Sequence, residues 1–114
     1  MDNDISKWAN ALDFAITICD VDGKILYMNE KSQQVFDRWG GKNLMGKCLF
    51  ACHSESSVKM IKEMISQNKA NTYTIEKNGV KKLIHQTPWY KDGSVAGIVE
   101  ISIELPENMP HRVR

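Results

Sequence analysis

Residues 14–29 read "FAITICDVDGKILYMN". Two runs rich in β-branched and aromatic residues flank Asp22-Gly23. Glycine takes positive φ freely, so the pair reads as a hairpin turn between two strands. Asn29 closes the stretch and is a good helix N-cap, since its side-chain oxygen can accept a backbone N–H that a first helical turn leaves unpaired. Strand, turn, strand and helix start are thus predicted within one short segment.

Upstream, Ile5, Trp8, Ala9 and Leu12 fall at i, i+3, i+4 and i+7, which predicts a short amphipathic helix over residues 1–12. Downstream, "EKSQQVFDRWGG" (30–41) continues from the Asn29 cap. Val35, Phe36 and Trp39 give that helix an apolar side, and Gly40-Gly41 ends it. "KNLMGKCLFACH" (42–53) reads as irregular or broken helix interrupted at Gly46. "SESSVKMIKEMISQNK" (54–69) is the longest helical segment, with serines to cap it and a stripe of Val58, Ile61, Met64 and Ile65. The last third is β. Asn78-Gly79 and Asp92-Gly93 each sit between β-rich runs and predict two more hairpins. Strands segregated from helices in this way argue an α+β fold with an antiparallel sheet covered on one face. If the first strand pairs with the last, the five strands lie in the order 2-1-5-4-3. The domain then occupies residues 13–105, with a tail at 106–114.

With 114 residues, 42% of them hydrophobic and 25% charged, the chain has the composition of one soluble globular domain. A net charge of +1 gives no electrostatic footprint for nucleic acid and no attraction to an anionic membrane. No apolar run approaches the ~20 residues of a membrane span. The N-terminal "MDNDISKWAN" is acidic and carries no signal-peptide core. Three cysteines, an odd number, with no export signal, place the chain in a reducing cytoplasm.

Two segments carry a resemblance. "DVDGKILYMNE" (20–30) resembles the first hairpin of PAS domains and the asparagine that opens their next helix. "TPWYKDGSVAGIVEIS" (87–102) is similar to their closing pattern of proline, Asp-Gly turn, later glycine and last apolar strand. The resemblance covers about residues 8–105. The middle section "GKCLFACHSESSVKMIKEMI", followed by "VEIS", looks most like PAS domains of bacterial proteins that also carry haemerythrin-like modules. The family implies a cupped five-stranded antiparallel sheet with short helices over its concave face. It also implies a pocket for haem, flavin, a fatty-acid-like ligand, a small metabolite or nothing, and a role in sensing or dimerisation that passes a change to an output partner. "ISIELPENMPHRVR" (101–114) departs from the family's usual run into a signalling helix, because Pro106 and Pro110 disfavour helix. The chain is then a free-standing module or part of a longer sensor whose output domain is unknown.

Cys48, Cys52 and His53 crowd into "MGKCLFACHSESS" (45–57). Covalent c-type haem attachment requires Cys-x-x-Cys-His, and here three residues separate the thiols. Zinc is poorly served: Cys52 and His53 are adjacent, diverging by ~100° on a helix, and a fourth ligand would have to come from His85 or Cys19. "GKCLFACH" has the glycine and a nearby cysteine of the photoreactive Gly-x-Asn-Cys-Arg-Phe-Leu-Gln motif of flavin-binding PAS relatives, but lacks its Asn, Arg and Gln. Non-covalent haem needs only one axial imidazole over an apolar cleft, from His53 or His85. Against it stand a capping or surface His53 and a His85 hydrogen-bonded on the sheet. Cys48 and Cys52, one helical turn apart, read as small inward-facing hydrophobes; the alternative is a redox pair with Cys52 activated at a helix start.

Met28, Met45, Met60 and Met64, with Phe36, Trp39 and Trp89, are candidates to line an adaptable apolar pocket, or simply a core. Alternation puts Glu100 and Ser102 on one face of the last strand and Val99, Ile101 and Ile103 on the other. Ile5, Trp8 and Leu12 are the candidate homodimer contacts, meeting an outer sheet face expected to carry Tyr73, Ile75, Ile84, Tyr90 and Ile98. No Ser-His-Asp spacing, phosphate-cradling glycine loop or paired-carboxylate motif stands out, so the chain is not expected to be an enzyme. The expected function is a ligand-binding sensory module relaying by protein–protein contact. The alternatives are a ligand-free interaction module and a haem or thiol redox sensor.

Overall fold

The turn at Asp22-Gly23 forms as expected. In the computed structural model, which describes residues 3–114 apart from the side chains of residues 3–6, 51 and 52, strand β1 (Ala15–Asp20) leads into β2 (Ile25–Met28). Asp20 closes the turn: its Oδ1 accepts from the backbone N–H groups of Asp22 and Lys24, each at 2.9 Å. Gly23 takes φ +80°. Helix α1 (Asn3–Asn10) precedes this hairpin and α2 (Glu30–Val35) follows it.

Two 3-10 turns, Asp37–Trp39 and Gly41–Leu44, come next. Then follow α3 (Leu49–Cys52), α4 (Glu55–Gln67), β3 (Asn71–Lys77), β4 (Val80–Lys91) and β5 (Ser94–Leu105). Ser54 caps α4 through a bond from the Ser57 N–H. Asn68 ends α4 in the left-handed conformation, φ 53° and ψ 51°. Both remaining hairpins have positive φ at two successive residues: Asn78 (53°) and Gly79 (78°), Asp92 (53°) and Gly93 (80°). That is the type I′ geometry, whose twist matches that of the flanking strands.

The sheet is five-stranded, in the order β2-β1-β5-β4-β3, with every neighbouring pair antiparallel. The fold is α+β with short helices on one face, the expected architecture. Its core is the cluster Cys19, Ile61, Met64 and Ile98, joined by Leu49, Phe50 and Ile65. Ile61 and Met64 belong to α4, so the sheet residues they touch define the helix-side face.

Register sorts the rest. Cys19 pairs with Ile98, and Ile98 with Pro88. Two residues along each strand, Thr17, Glu100, Gln86 and Asn71 form one rung, and Ala15, Ser102, Ile84 and Tyr73 form the next. Side chains alternate between faces, so all of these look toward the helices. The outer face carries Ile16, Ile18, Tyr27, Leu83, His85, Val99, Ile101 and Ile103. This corrects the expected outer set: Ile84 and Ile98 are buried on the helix side, and Tyr73 and Ile75 share their parity. Tyr90 lies beyond a register shift after Trp89 and turns its hydroxyl to Asn68 at the end of α4.

Residues 46–49 form a strap that the sequence reading missed. Gly46 N–H donates to Ile25 O (2.7 Å), Ile25 N–H to Lys47 O (2.9 Å) and Leu49 N–H to Gly23 O (2.7 Å). The segment runs along the far side of the start of β2, with Cys48 bridged to Lys24. Beyond Leu105, residues 106–114 form no helix.

Candidate functional site

The helix-side face is apolar where α4 presses on it and polar one rung away. Gln86 Nε2 donates to Glu100 Oε2 at 2.8 Å, and Asn71 Nδ2 donates to Gln86 Oε1 at 3.2 Å. The same Asn71 nitrogen lies 3.3 Å from Met60 Sδ, which ties the row to α4. At the other end of the rung Thr17 Oγ1 and Ser32 Oγ are 2.6 Å apart, joining β1 to α2. Glu100, Gln86, Asn71 and Thr17 are all half-buried. Burial pushes the Tyr73 phenol above its ordinary value, and the charge of Glu100 adds to the shift.

α4 does not close over the whole face. Met60, Tyr73 and Ile75 are 49%, 42% and 41% exposed, although all three border the polar row or its neighbouring rung. The face is therefore an apolar floor with one fixed hydrogen-bonded row, open toward β3.

The sequence candidates scatter about this arrangement. Met28 and Met64 are fully buried. Phe36 is half-buried, with its ring 6.2 Å from that of Trp39, but Trp39 itself lies on the surface with Arg38 over it. Met45 and Met60 are exposed. Trp89 gives its indole N–H to the backbone carbonyl of Cys19 at 2.9 Å. These residues do not converge on one cavity: Met28 and Met64 stand in the interior, while Trp39 and Met45 stand outside it.

Cys48 does not face inward. It is extended (φ −92°, ψ 123°), precedes α3 rather than lying on a shared helix with Cys52, and points its exposed thiol at Asp22 O, 3.4 Å away. The side chains of Cys52 and Ile5 lie outside the described residues. The buried thiol is Cys19, and burial raises its pKa above the ordinary value.

His53 is exposed at the junction of α3 and α4, with Nδ1 3.0 Å from Leu49 O. It borders an open cleft of about 570 Å³ shared with Phe50, Val58, Lys59 and Lys62, on the side of α4 away from the polar row. His85 pairs with Ile101 and Thr72, and its Nδ1 lies 2.7 Å from Thr72 Oγ1. That parity puts His85 on the outer face, so it does not fit as an axial haem ligand between helices and sheet. Among the described residues no group of three or more His, Cys, Asp or Glu side chains is arranged to hold a metal ion. No helix among them is long and apolar enough to cross a membrane.

The sequence reading missed Phe50 and most of what Asn29 does. Phe50 packs over Gly23, where an added Cβ would lie 3.0 Å from the ring. Asn29 is fully buried and does far more than cap: Oδ1 accepts from Ser32 N–H (3.0 Å) and Ile16 N–H (2.9 Å), while Nδ2 donates to Ala9 O (3.0 Å) and Phe14 O (2.8 Å).

Comparison with known proteins places this geometry. No curated protein matches the sequence. Solved structures share the fold at low identity. A sensory box sensor histidine kinase from Vibrio cholerae is 17% identical, with 90% of each chain covered and a TM-score of 0.63. The Aer2 receptor of Vibrio cholerae, a dual PAS-haem oxygen sensor, is 15% identical, with 82% of this chain and 95% of that one covered and a TM-score of 0.63. The Vibrio cholerae VqmA dimer, a LuxR-type receptor, is 13% identical, with 100% of this chain and 56% of that one covered and a TM-score of 0.72. A family model described as the PAS fold matches residues 9–108, which take in the whole sheet and every helix but most of the first, and the chain therefore belongs to the PAS family.

Proposed function

We propose that this PAS domain is a non-catalytic sensory module that takes a small ligand against the helix-side face of its sheet and passes the change on by protein–protein contact. One observation carries the reading. An apolar face holds a fixed polar row, Asn71–Gln86–Glu100, and is left open beside Met60, Tyr73 and Ile75. Apolar walls with a few placed polar groups are the usual composition of a small-molecule site. The relay surface in this reading is α1 with the outer sheet face, where a second copy of the chain binds. Trp8 of α1 is 59% exposed, and Ile16, Ile18, Val99 and Ile101 of the outer face remain half-exposed.

Native mass spectrometry of the purified protein tests the ligand half, together with its absorption spectrum. A mass excess of a small molecule that disappears on denaturation is the expected result. A native mass equal to the chain, with no probe of any charge binding the helix-side face, would leave a ligand-free interaction module. A Soret band would bring back haem, with His53 as the remaining candidate.

A further inference from the structure

The direction of the hydrogen bonds across the sheet specifies what the site can recognise. Asn71 donates to Gln86, and Gln86 donates to Glu100. Gln86 thus turns its oxygen toward the Asn71 donor on one side and its N–H group toward the Glu100 acceptor on the other. The row ends on a carboxylate. Glu100 uses Oε2 for Gln86, and an ionised carboxylate offers about four acceptor positions in all. Its partner in the row is a neutral amide, so the row itself supplies no cation to the carboxylate. The Met60 thioether lies beside Asn71 at the far end of the row, and the Tyr73 ring stands on the next rung, near enough for the Glu100 charge to act on its phenol; both are part-exposed. An aromatic face and a thioether both favour a flat or cationic group.

We infer that the helix-side face recognises a small, partly aromatic ligand carrying a cationic N–H group, such as an amine or amidinium, which bonds Glu100 while its apolar body lies along the row against Tyr73 and Met60. This rests on the reading of that face as the ligand site. A charge-assisted bond to Glu100 would favour such a ligand over an isosteric neutral molecule by about tenfold. An anion would be repelled.

Three small aromatic probes, one cationic, one neutral and one anionic, separate the possibilities: benzamidine, benzyl alcohol and benzoate, each titrated into the isotopically labelled full chain and followed through the Asn71 and Gln86 side-chain amides and the Met60 methyl group by NMR. The expected order is benzamidine about tenfold tighter than benzyl alcohol, with benzoate not binding. In Glu100→Gln, which keeps shape and hydrogen bonding, benzamidine should fall to the level of benzyl alcohol. The wild-type order alone decides the question if that variant does not fold. Equal binding of benzamidine and benzyl alcohol, or binding of benzoate, overturns the inference but leaves the ligand site standing. No shift from any probe overturns both.

Discussion

Asn29 is the residue on which α1, β1 and α2 meet. Its four hydrogen bonds are divided evenly, two accepted at Oδ1 and two donated at Nδ2. Aspartate is as good an N-cap as asparagine, yet Asn29→Asp would put a second oxygen against the carbonyls of Ala9 and Phe14. Asn29→Asp and Asn29→Ala should therefore both lose about 3 kcal/mol or more in urea unfolding, several buried bonds at roughly 1 kcal/mol each with their carbonyls left unsatisfied. An Asp variant as stable as wild type would refute this account. The cap was legible in the sequence because it is local. The other three bonds were not, because their partners are Ala9, Phe14 and Ile16, 13 to 20 residues away. The thiols follow the same division between local and distant causes. Cys48 is exposed on the strap and Cys19 is buried with its pKa raised, so a thiol reagent at neutral pH should label Cys48 quickly and Cys19 only on unfolding. The raised pKa also fixes a sign. The unfolded chain gives up the Cys19 proton first, so this contribution to stability is intact below the ordinary thiol value of 9.0 and falls as pH climbs through and above it. A melting temperature that rises across that range would contradict the burial of Cys19.

Among the elements, the hairpins were the most readable. Asn-Gly and Asp-Gly announce type I′ turns, and both form. An added Cβ at Gly79 or Gly93 meets nothing within 4 Å, so Gly79→Val and Gly93→Val should cost only backbone strain, about 1 kcal/mol or somewhat more. Gly97 is a different case. A Cβ there would lie 1.8 Å from Cys19 O, inside the β1–β5 contact. Gly97→Ala should thus lower the melting temperature more than either hairpin variant, although it adds one methyl group. If Gly97→Ala melts no lower than they do, the close approach of β1 to β5 is wrong. Which face of each strand turns inward could not be read from the sequence. Alternation in β5 is plain, but its more apolar parity, with Val99, Ile101 and Ile103, is the one that turns outward, while the parity carrying Glu100 and Ser102 turns to the helices. Only the seating of Ile61 and Met64 on Ile98 and Cys19 decides it. That decision moved Ile84 and Ile98 inside and His85 outside. The strap at 46–49 was hidden for a related reason: its bonds go to β2, a partner more than 20 residues upstream, and Gly46 looked only like a helix break.

At the scale of the whole molecule, the expected homodimer buries Trp8 of α1 together with the outer face of the sheet. Trp8→Glu should shift the protein toward monomer in sedimentation at tens of micromolar without changing its circular dichroism. A wild-type chain that already sediments as a monomer at that concentration would leave α1 to shield its own sheet. The strap has a further consequence, for how many copies can join through the sheet itself. β3 has a neighbour on one side only, and its free rim offers backbone donors and acceptors to another chain. At the opposite rim the start of β2 is already taken: Ile25 bonds Gly46 and Lys47, and Leu49 bonds Gly23 just before the strand. β3 is thus the rim with the longer run of unbonded backbone, and copies that meet there do so β3 against β3, as a pair of ten strands. A fibre needs two sticky ends per copy, and the strap shortens one of them.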